Sequence, residues 1–166
     1  MSSDKIATYM KVLKVGFDRT LSDAANVPIE KRLVQLKEHK AHPLWLIGHL
    51  TNTLNMVCLH WSLGKDPVLP KEWGKMFAPD FAKGDPVVSD GSKYPAWDDV
   101  VVQYQSLSNQ ALEAIGTLTD ADLESPARGP MPEMLKRHFS SLEAMIIMMI
   151  EHDAHHRGQM ALLAKL

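Results

Sequence analysis

Ser140-Ser141-Leu142-Glu143-Ala144-Met145-Ile146-Ile147-Met148-Met149-Ile150-Glu151-His152-Asp153-Ala154-His155-His156-Arg157-Gly158-Gln159 is the stretch on which the fold turns. It opens with Ser-x-x-Glu, the pattern of a capping box, in which the serine accepts the backbone N–H three residues on and the glutamate reaches back. Ala144 to Ile150 is an unbroken apolar run, so the pattern predicts a helix that starts near Ser141 and continues to the C-terminus. His152 and His156 stand four residues apart in it, which sends both imidazoles out from one face. Neutral imidazole is the commonest metal ligand, and a helix holding two of them fixes much of the coordination geometry in advance. The pair alone leaves two readings open: a chelating face, or two histidines that are solvated or satisfied in the core near a helix end. Burying them unpaired would cost about 1–3 kcal/mol each. A third ligand has to come from elsewhere in the chain.

Working back from this helix, three more helical patterns emerge. Ile6, Tyr9, Met10, Leu13, Phe17 and Leu21 repeat at helical spacing, closed by Asn26 and Pro28. Ile29 to Ala41 is mixed and charged, with room for a turn of helix. Pro43 marks the start of the second long helix and Gly64 its end, with Leu46, Leu50, Leu54 and Val57 on its apolar face. A third runs from about Pro95 to Leu118 with Trp97, Val101, Tyr104, Leu107, Ala111 and Ile115 on one stripe. Between Gly64 and Pro95 lies a segment rich in Pro, Gly, Asp and Lys that carries Trp73 and Phe77. A connection of this length is a candidate lid or binding loop; alternatively its aromatics plug the end of a bundle. The second connection, Thr119 to Phe139, holds Pro126, Pro130 and Pro132, which break any continuous helix. No strand pattern is convincing. The expected architecture is all-α, a four-helix bundle in one domain over residues 1–166, with long irregular connections between helices two and three and between three and four.

Composition narrows the partners. The chain has 166 residues, 45% of them hydrophobic, enough for one ordinary core. A formal net charge of -2 gives no electrostatic reason to expect nucleic acid or an anionic membrane. Met1-Ser2-Ser3-Asp4-Lys5 is polar, so no secretory signal is expected, and no apolar run approaches the roughly 20 residues needed to span a bilayer. Cys58 is the single cysteine, which excludes an internal disulfide and makes a reducing cytoplasm the expected location. It falls on roughly the opposite helix face from His49, as an apolar filler would. Ten methionines fit a plastic helical core.

The second helix offers His49 as the third ligand. His42 lies seven positions before it and His60 eleven after, so on an α-helix all three share roughly one face. The rise between them is about 10 Å and about 16 Å, too far for one ion to hold two. Only one can join the pair, and His49 is deepest in the helix.

Trp45-Leu46-Ile47-Gly48-His49-Leu50, followed by Glu151-His152-Asp153-Ala154-His155-His156-Arg157-Gly158-Gln159, resembles the DinB/YfiT-like family of metalloenzymes. The resemblance extends to Glu72-Trp73-Gly74-Lys75-Met76-Phe77 and to the order of four helices. It implies a four-helix bundle with a mononuclear divalent site made by one histidine of the second helix and two of the fourth, matching His49, His152 and His156. Family members of known activity include thiol S-transferases that use low-molecular-weight thiols and a mycothiol-dependent isomerase, so a thiol cofactor and a small-molecule substrate are implied. A homodimer is implied as well.

Three histidines leave coordination positions open, the mark of a catalytic rather than a structural site, on an ion whose identity as Zn, Ni or Fe the ligands do not distinguish. Such an ion could act as a Lewis acid or lower the pKa of water or a thiol; no side chain stands out as a general base, so water on the ion is the default nucleophile by elimination. The expected chemistry is thiol S-transfer or hydrolysis of a small molecule. The alternative is a non-catalytic metal-binding or stress-related interaction module. Asp153 and His155 project to other faces and are expected to be exposed. Glu151 is expected to be a structural or supporting carboxylate, Arg157 solvated or ion-paired, Gly158 a site of close helix packing and Gln159 a hydrogen-bonding neighbour. His152-Asp153-x-x-His156 copies the spacing of the zinc-protease His-Glu-x-x-His helix, but Asp is one methylene shorter and no segment downstream supplies a third ligand. Di-iron chemistry lacks its Glu-x-x-His pairs.

Overall fold

Helix α1 (Asp4–Ala25) is followed by a 3-10 turn at Ile29–Lys31, and α2 (Pro43–Thr53) continues without a break into a π-helix at Leu54–Ser62. Then come α3 (Trp73–Met76), 3-10 turns at Asp80–Ala82 and Gly91–Lys93, α4 (Trp97–Gly116), α5 (Asp120–Leu123), α6 (Glu133–Lys136) and α7 (Leu142–Leu163). The structure, a computed structural model, describes residues 4–166; the polar reading of Met1-Ser2-Ser3 lies outside them. The fold is all-α, with no strand among the described residues, and no helix in it is long and apolar enough to cross a membrane.

Local chemistry sets the ends of α2. His42 caps it: the ring Nδ1 accepts the Trp45 N–H at 3.0 Å, and Pro43 takes the first helical position, where no N–H is needed. The far end closes on Gly64 at φ +69, a conformation glycine adopts without strain, while the Lys65 N–H returns to the Leu59 carbonyl at 2.9 Å. The π stretch between them was not legible as such. There the N–H groups reach one residue further back, as Leu63 does to Cys58 at 3.1 Å. This wider turn advances each residue by less than the α-helical 100°, so the shared face expected for His49 and His60 does not hold. His60 turns to the Lys65 carbonyl, 2.8 Å away.

The start of α7 also differs from expectation. Ser141 caps it, accepting the Ala144 N–H at 3.2 Å, but Glu143 does not reach back to complete a box. Instead it accepts from the Tyr9 hydroxyl and pairs with Lys5 at 2.7 Å, tying α7 to α1. The reciprocal box forms at Thr119 and Asp122, ahead of α5.

The four long helices pack in a ring: α1 lies against α4 and α7, and α2 lies against the same two. One core joins them, with Leu13 and Phe17 of α1, Leu46 and Leu50 of α2, Tyr104 and Leu107 of α4, and Met145 and Met149 of α7. Every residue from His42 to Leu50 is buried, so α2 is the inner helix and His49 sits on it below the surface.

Candidate metal centre

His49 is 8% exposed and His42 is fully buried, but only His49 meets α7. Its Nε2 lies 3.0 Å from the Nε2 of His152, and its ring centroid is 4.9 Å from those of both His152 and His156. One nitrogen from each of the three falls within 4.8 Å of the others. His42 is spent elsewhere, with Nδ1 on the helix cap and Nε2 donating to the Val88 carbonyl at 3.0 Å.

The partners of these rings decide where their lone pairs point. The Phe77 carbonyl is 2.8 Å from His49 Nδ1 and can only accept, so Nδ1 carries the proton and Nε2 is free to bind. Gln159 Oε1 accepts from His156 Nδ1 at 2.8 Å, with the same result. His152 is the exception, because its Nδ1 is buried without a partner. Burial pushes the pKa of His49 down to about 4 and that of His152 to about 3, the latter helped by the neighbouring imidazoles, and burial lowers His156 as well. All three are therefore neutral near pH 7, the form a metal requires. Two nitrogens on a tetrahedral ion at about 2.05 Å would be about 3.3 Å apart, close to the observed His49–His152 separation. Three ring nitrogens within 4.8 Å of one another, one pair already near ligand spacing, form a group that could hold a divalent ion after a small closure of the rings.

The sequence profile of the DinB superfamily matches residues 13–160. The chain belongs to the DinB superfamily. No curated protein matches it. For a DinB superfamily chain, the arrangement around the three histidines assigns the remaining motif residues one by one.

The segment read either as a lid or binding loop or as a plug of the bundle end is fastened to α2 at its first part. Trp45 Nε1 donates to the Met76 carbonyl at 3.0 Å, next to the His49–Phe77 bond. Phe77 is fully buried and lies on Gly48, where a Cβ would come within 2.1 Å of the ring. The Trp45 ring stacks on His49 with centroids 4.8 Å apart. Trp73 and Phe77 therefore pack in the core and hold the centre from behind; they do not wall its cavity.

That cavity, of about 630 Å³, opens in front of the three histidines. Phe81 and Ala82 contribute from the first connection, Met134 and Phe139 from the second. Sequence reading passed over Phe81 and Met134, whose only signal was a large apolar residue in a polar connection. It also passed over Asn52, which follows His49 by three residues and so faces the same space.

Asp153 is a correction. It is 3% exposed, accepts from the Thr20 and Tyr104 hydroxyls, and pairs with Arg157 at 3.3 Å. The face it shares points between α1 and α4, not to solvent. Burial raises its pKa, opposed by the two hydroxyls. Arg157 is ion-paired as expected and also donates to the Gly16 carbonyl. Glu151 and Gly158 are exposed, which removes the supporting role expected of the first. A Cβ on Gly158 would meet nothing within 4 Å, so it is not a packing contact. His155 is exposed as expected, yet it lines the cavity and accepts from Gln159 Nε2 at 3.1 Å. Cys58 is buried, its thiol pushed up to about 12, which suits a core filler and not a nucleophile.

Proposed function

We propose that this DinB superfamily chain is a metal-dependent enzyme acting on a small molecule, with His49, His152 and His156 as the three protein ligands of one divalent ion. The reading is carried by one observation: one ring nitrogen from each of His49, His152 and His156 lies within 4.8 Å of the others on the wall of a cavity large enough for a substrate. When bound, the ion would supply Lewis acidity and lower the pKa of a coordinated water or thiol, the chemistry of hydrolysis or of thiol S-transfer.

The chain's own residues supply position. Phe77, seated on Gly48, presents its carbonyl to His49 and fixes the tautomer. Trp45 holds the same ring by stacking. Gln159 bridges His156 and His155, and among the described residues His155 is the one other titratable side chain on the cavity wall. On the family resemblance we also propose a homodimer, and on the single buried cysteine a reducing cytoplasmic location.

The test is elemental analysis of untagged protein. About one equivalent of divalent metal is expected after loading, falling severalfold in His156→Ala, whose partly buried site is close to the surface. Less than about a tenth of an equivalent after reloading would overturn the reading. Light scattering at twice the chain mass would support the dimer.

A further inference from the structure

The cavity beside the three histidines has two unlike ends, and chain direction sets them apart. The Arg128 N–H donates to the Ser62 carbonyl and the Leu142 N–H to the Ser125 carbonyl, both at 2.9 Å. The start of α7 therefore lies by the far end of the π-helix, and α7 runs back along α2. Along both helices the lining changes in the same direction. His49 is followed by Met56 and then Trp61, while His152 is preceded by Met148. At the helical rise, Met56 stands roughly 10 Å along the axis from His49. The connection between the two hydrogen bonds adds Met134 and Phe139 to the lining. This end is apolar, and it gains by taking apolar ligand surface out of water.

The histidine end is the polar one. Among the described residues no Lys, Arg, Asp or Glu lines the cavity, so a divalent ion on His49, His152 and His156 would place its strongest charge there. Asn52, one helical turn from His49, lies half-buried on the same wall. Its carboxamide makes no hydrogen bond among the described residues, whereas the buried Asn55 is spent on the Val68 N–H at 2.9 Å. A half-buried amide with donor and acceptor both free, beside an ion-binding cluster, is placed to hold a ligand atom.

We propose that the substrate is a two-ended small molecule: an ion-seeking head whose neighbouring atom is hydrogen-bonded by Asn52, and an apolar body lying along Met56, Trp61, Met134 and Met148. This names the substrate class of the enzyme reading above and rests on it. The ion matches an anionic head as readily as a neutral one. Selection therefore lies in the body and in the Asn52 contact. The volume of about 630 Å³ is within the roughly 300–1,000 Å³ of small-molecule pockets.

Straight-chain hydroxamates from acetohydroxamate to octanohydroxamate test this, because they share one zinc-binding head and differ only in methylenes. They are titrated calorimetrically into the zinc-loaded full chain. Each buried methylene should tighten binding roughly twofold or more, at least about thirtyfold across the series. Met134 is 57% exposed, so Met134→Ser keeps the fold. It should weaken octanohydroxamate at least about threefold and leave acetohydroxamate unchanged. Asn52→Ala should weaken every member by one similar factor, about three- to tenfold, at unchanged zinc content and helical circular dichroism. Affinity that is flat along the series, or a slope that Met134→Ser does not alter, overturns the body site. An unchanged series in Asn52→Ala overturns the head contact. Either result, with zinc bound, leaves the metal centre standing. Failure of the untagged protein to take up zinc overturns the metal reading first, and the proposal with it.

Discussion

A single methyl group separates two glycines of this chain. Gly48 lies under the Phe77 ring, and a Cβ there would stand 2.1 Å from it. Gly48→Ala should therefore destabilise by about 1–3 kcal/mol through overpacking, even though alanine gains helix propensity. It should also weaken metal affinity, because the displaced Phe77 carries the carbonyl that orients His49. Gly158 stands in open space inside α7, so Gly158→Ala should stabilise by about 0.5–1 kcal/mol. Thermal denaturation of the two variants side by side should give shifts of opposite sign; shifts of the same sign would mean that the Phe77 contact is not tight. His42 makes a second residue-scale case. Its Nδ1 must be unprotonated to accept from Trp45 while Nε2–H donates to Val88, and burial lowers its pKa from 6.5 to about 4. The unfolded chain thus takes up a proton first. The stabilisation is complete above about pH 6.5 and is lost as pH falls toward 4, by about 2 kcal/mol at pH 5. His42→Asn keeps a side chain able to cap the helix but does not titrate. Urea denaturation at pH 7.5 and pH 5 should show the wild type losing about that much more than the variant, and equal losses would place the titration elsewhere.

At the scale of elements, α7 carries two faces one residue out of step. His152 and His156 look toward α2, while Asp153 looks between α1 and α4 and gathers Thr20, Tyr104 and Arg157. The network pins the helix's rotation, and with it the direction of the histidine face. Asp153→Ala leaves two buried hydroxyls and a partly buried guanidinium without their acceptor. It should lower the unfolding free energy by about 2–4 kcal/mol, measured by chemical denaturation, and a loss under about 1 kcal/mol would show the network to be incidental. Sequence alone gave the histidine face, because a four-residue spacing needs only the helical period. It could not give the Asp153 face, since which direction is buried depends on where α1 and α4 stand around α7. The same limit explains the π-helix. Leu54, Cys58 and Leu59 are buried, and their spacing of four and five residues suits one face of either helix type, so only the reach of the N–H groups tells the two apart. Pro43 and Gly64 were legible because proline and glycine act through their own backbones. Phe81 was not, since an aromatic residue in a polar connection reads equally as a wall, a plug or a solvated ring.

In the whole molecule, the metal-capable centre lies beside a core that is complete without it. Ring packing of α1, α4, α2 and α7 is closed by Leu, Ile, Met and Tyr side chains already excluded from water, and burial keeps the three histidines neutral with no ion to compensate. The orphaned Nδ1 of His152 is a local liability that the surrounding packing carries. Metal should therefore raise stability by mass action and not by creating the fold. Loading with zinc at about a hundred times its dissociation constant should add about 2.7 kcal/mol, seen as a rise in the thermal midpoint. A chelator should remove that increment and leave the far-ultraviolet helical signal nearly unchanged, in contrast to small metal domains whose folding and metal binding are one event. If the helical signal collapsed with the metal, the ion would be holding α2 to α7. The three histidines would then be a structural clamp, and the cavity in front of them would have to be explained without an open coordination position.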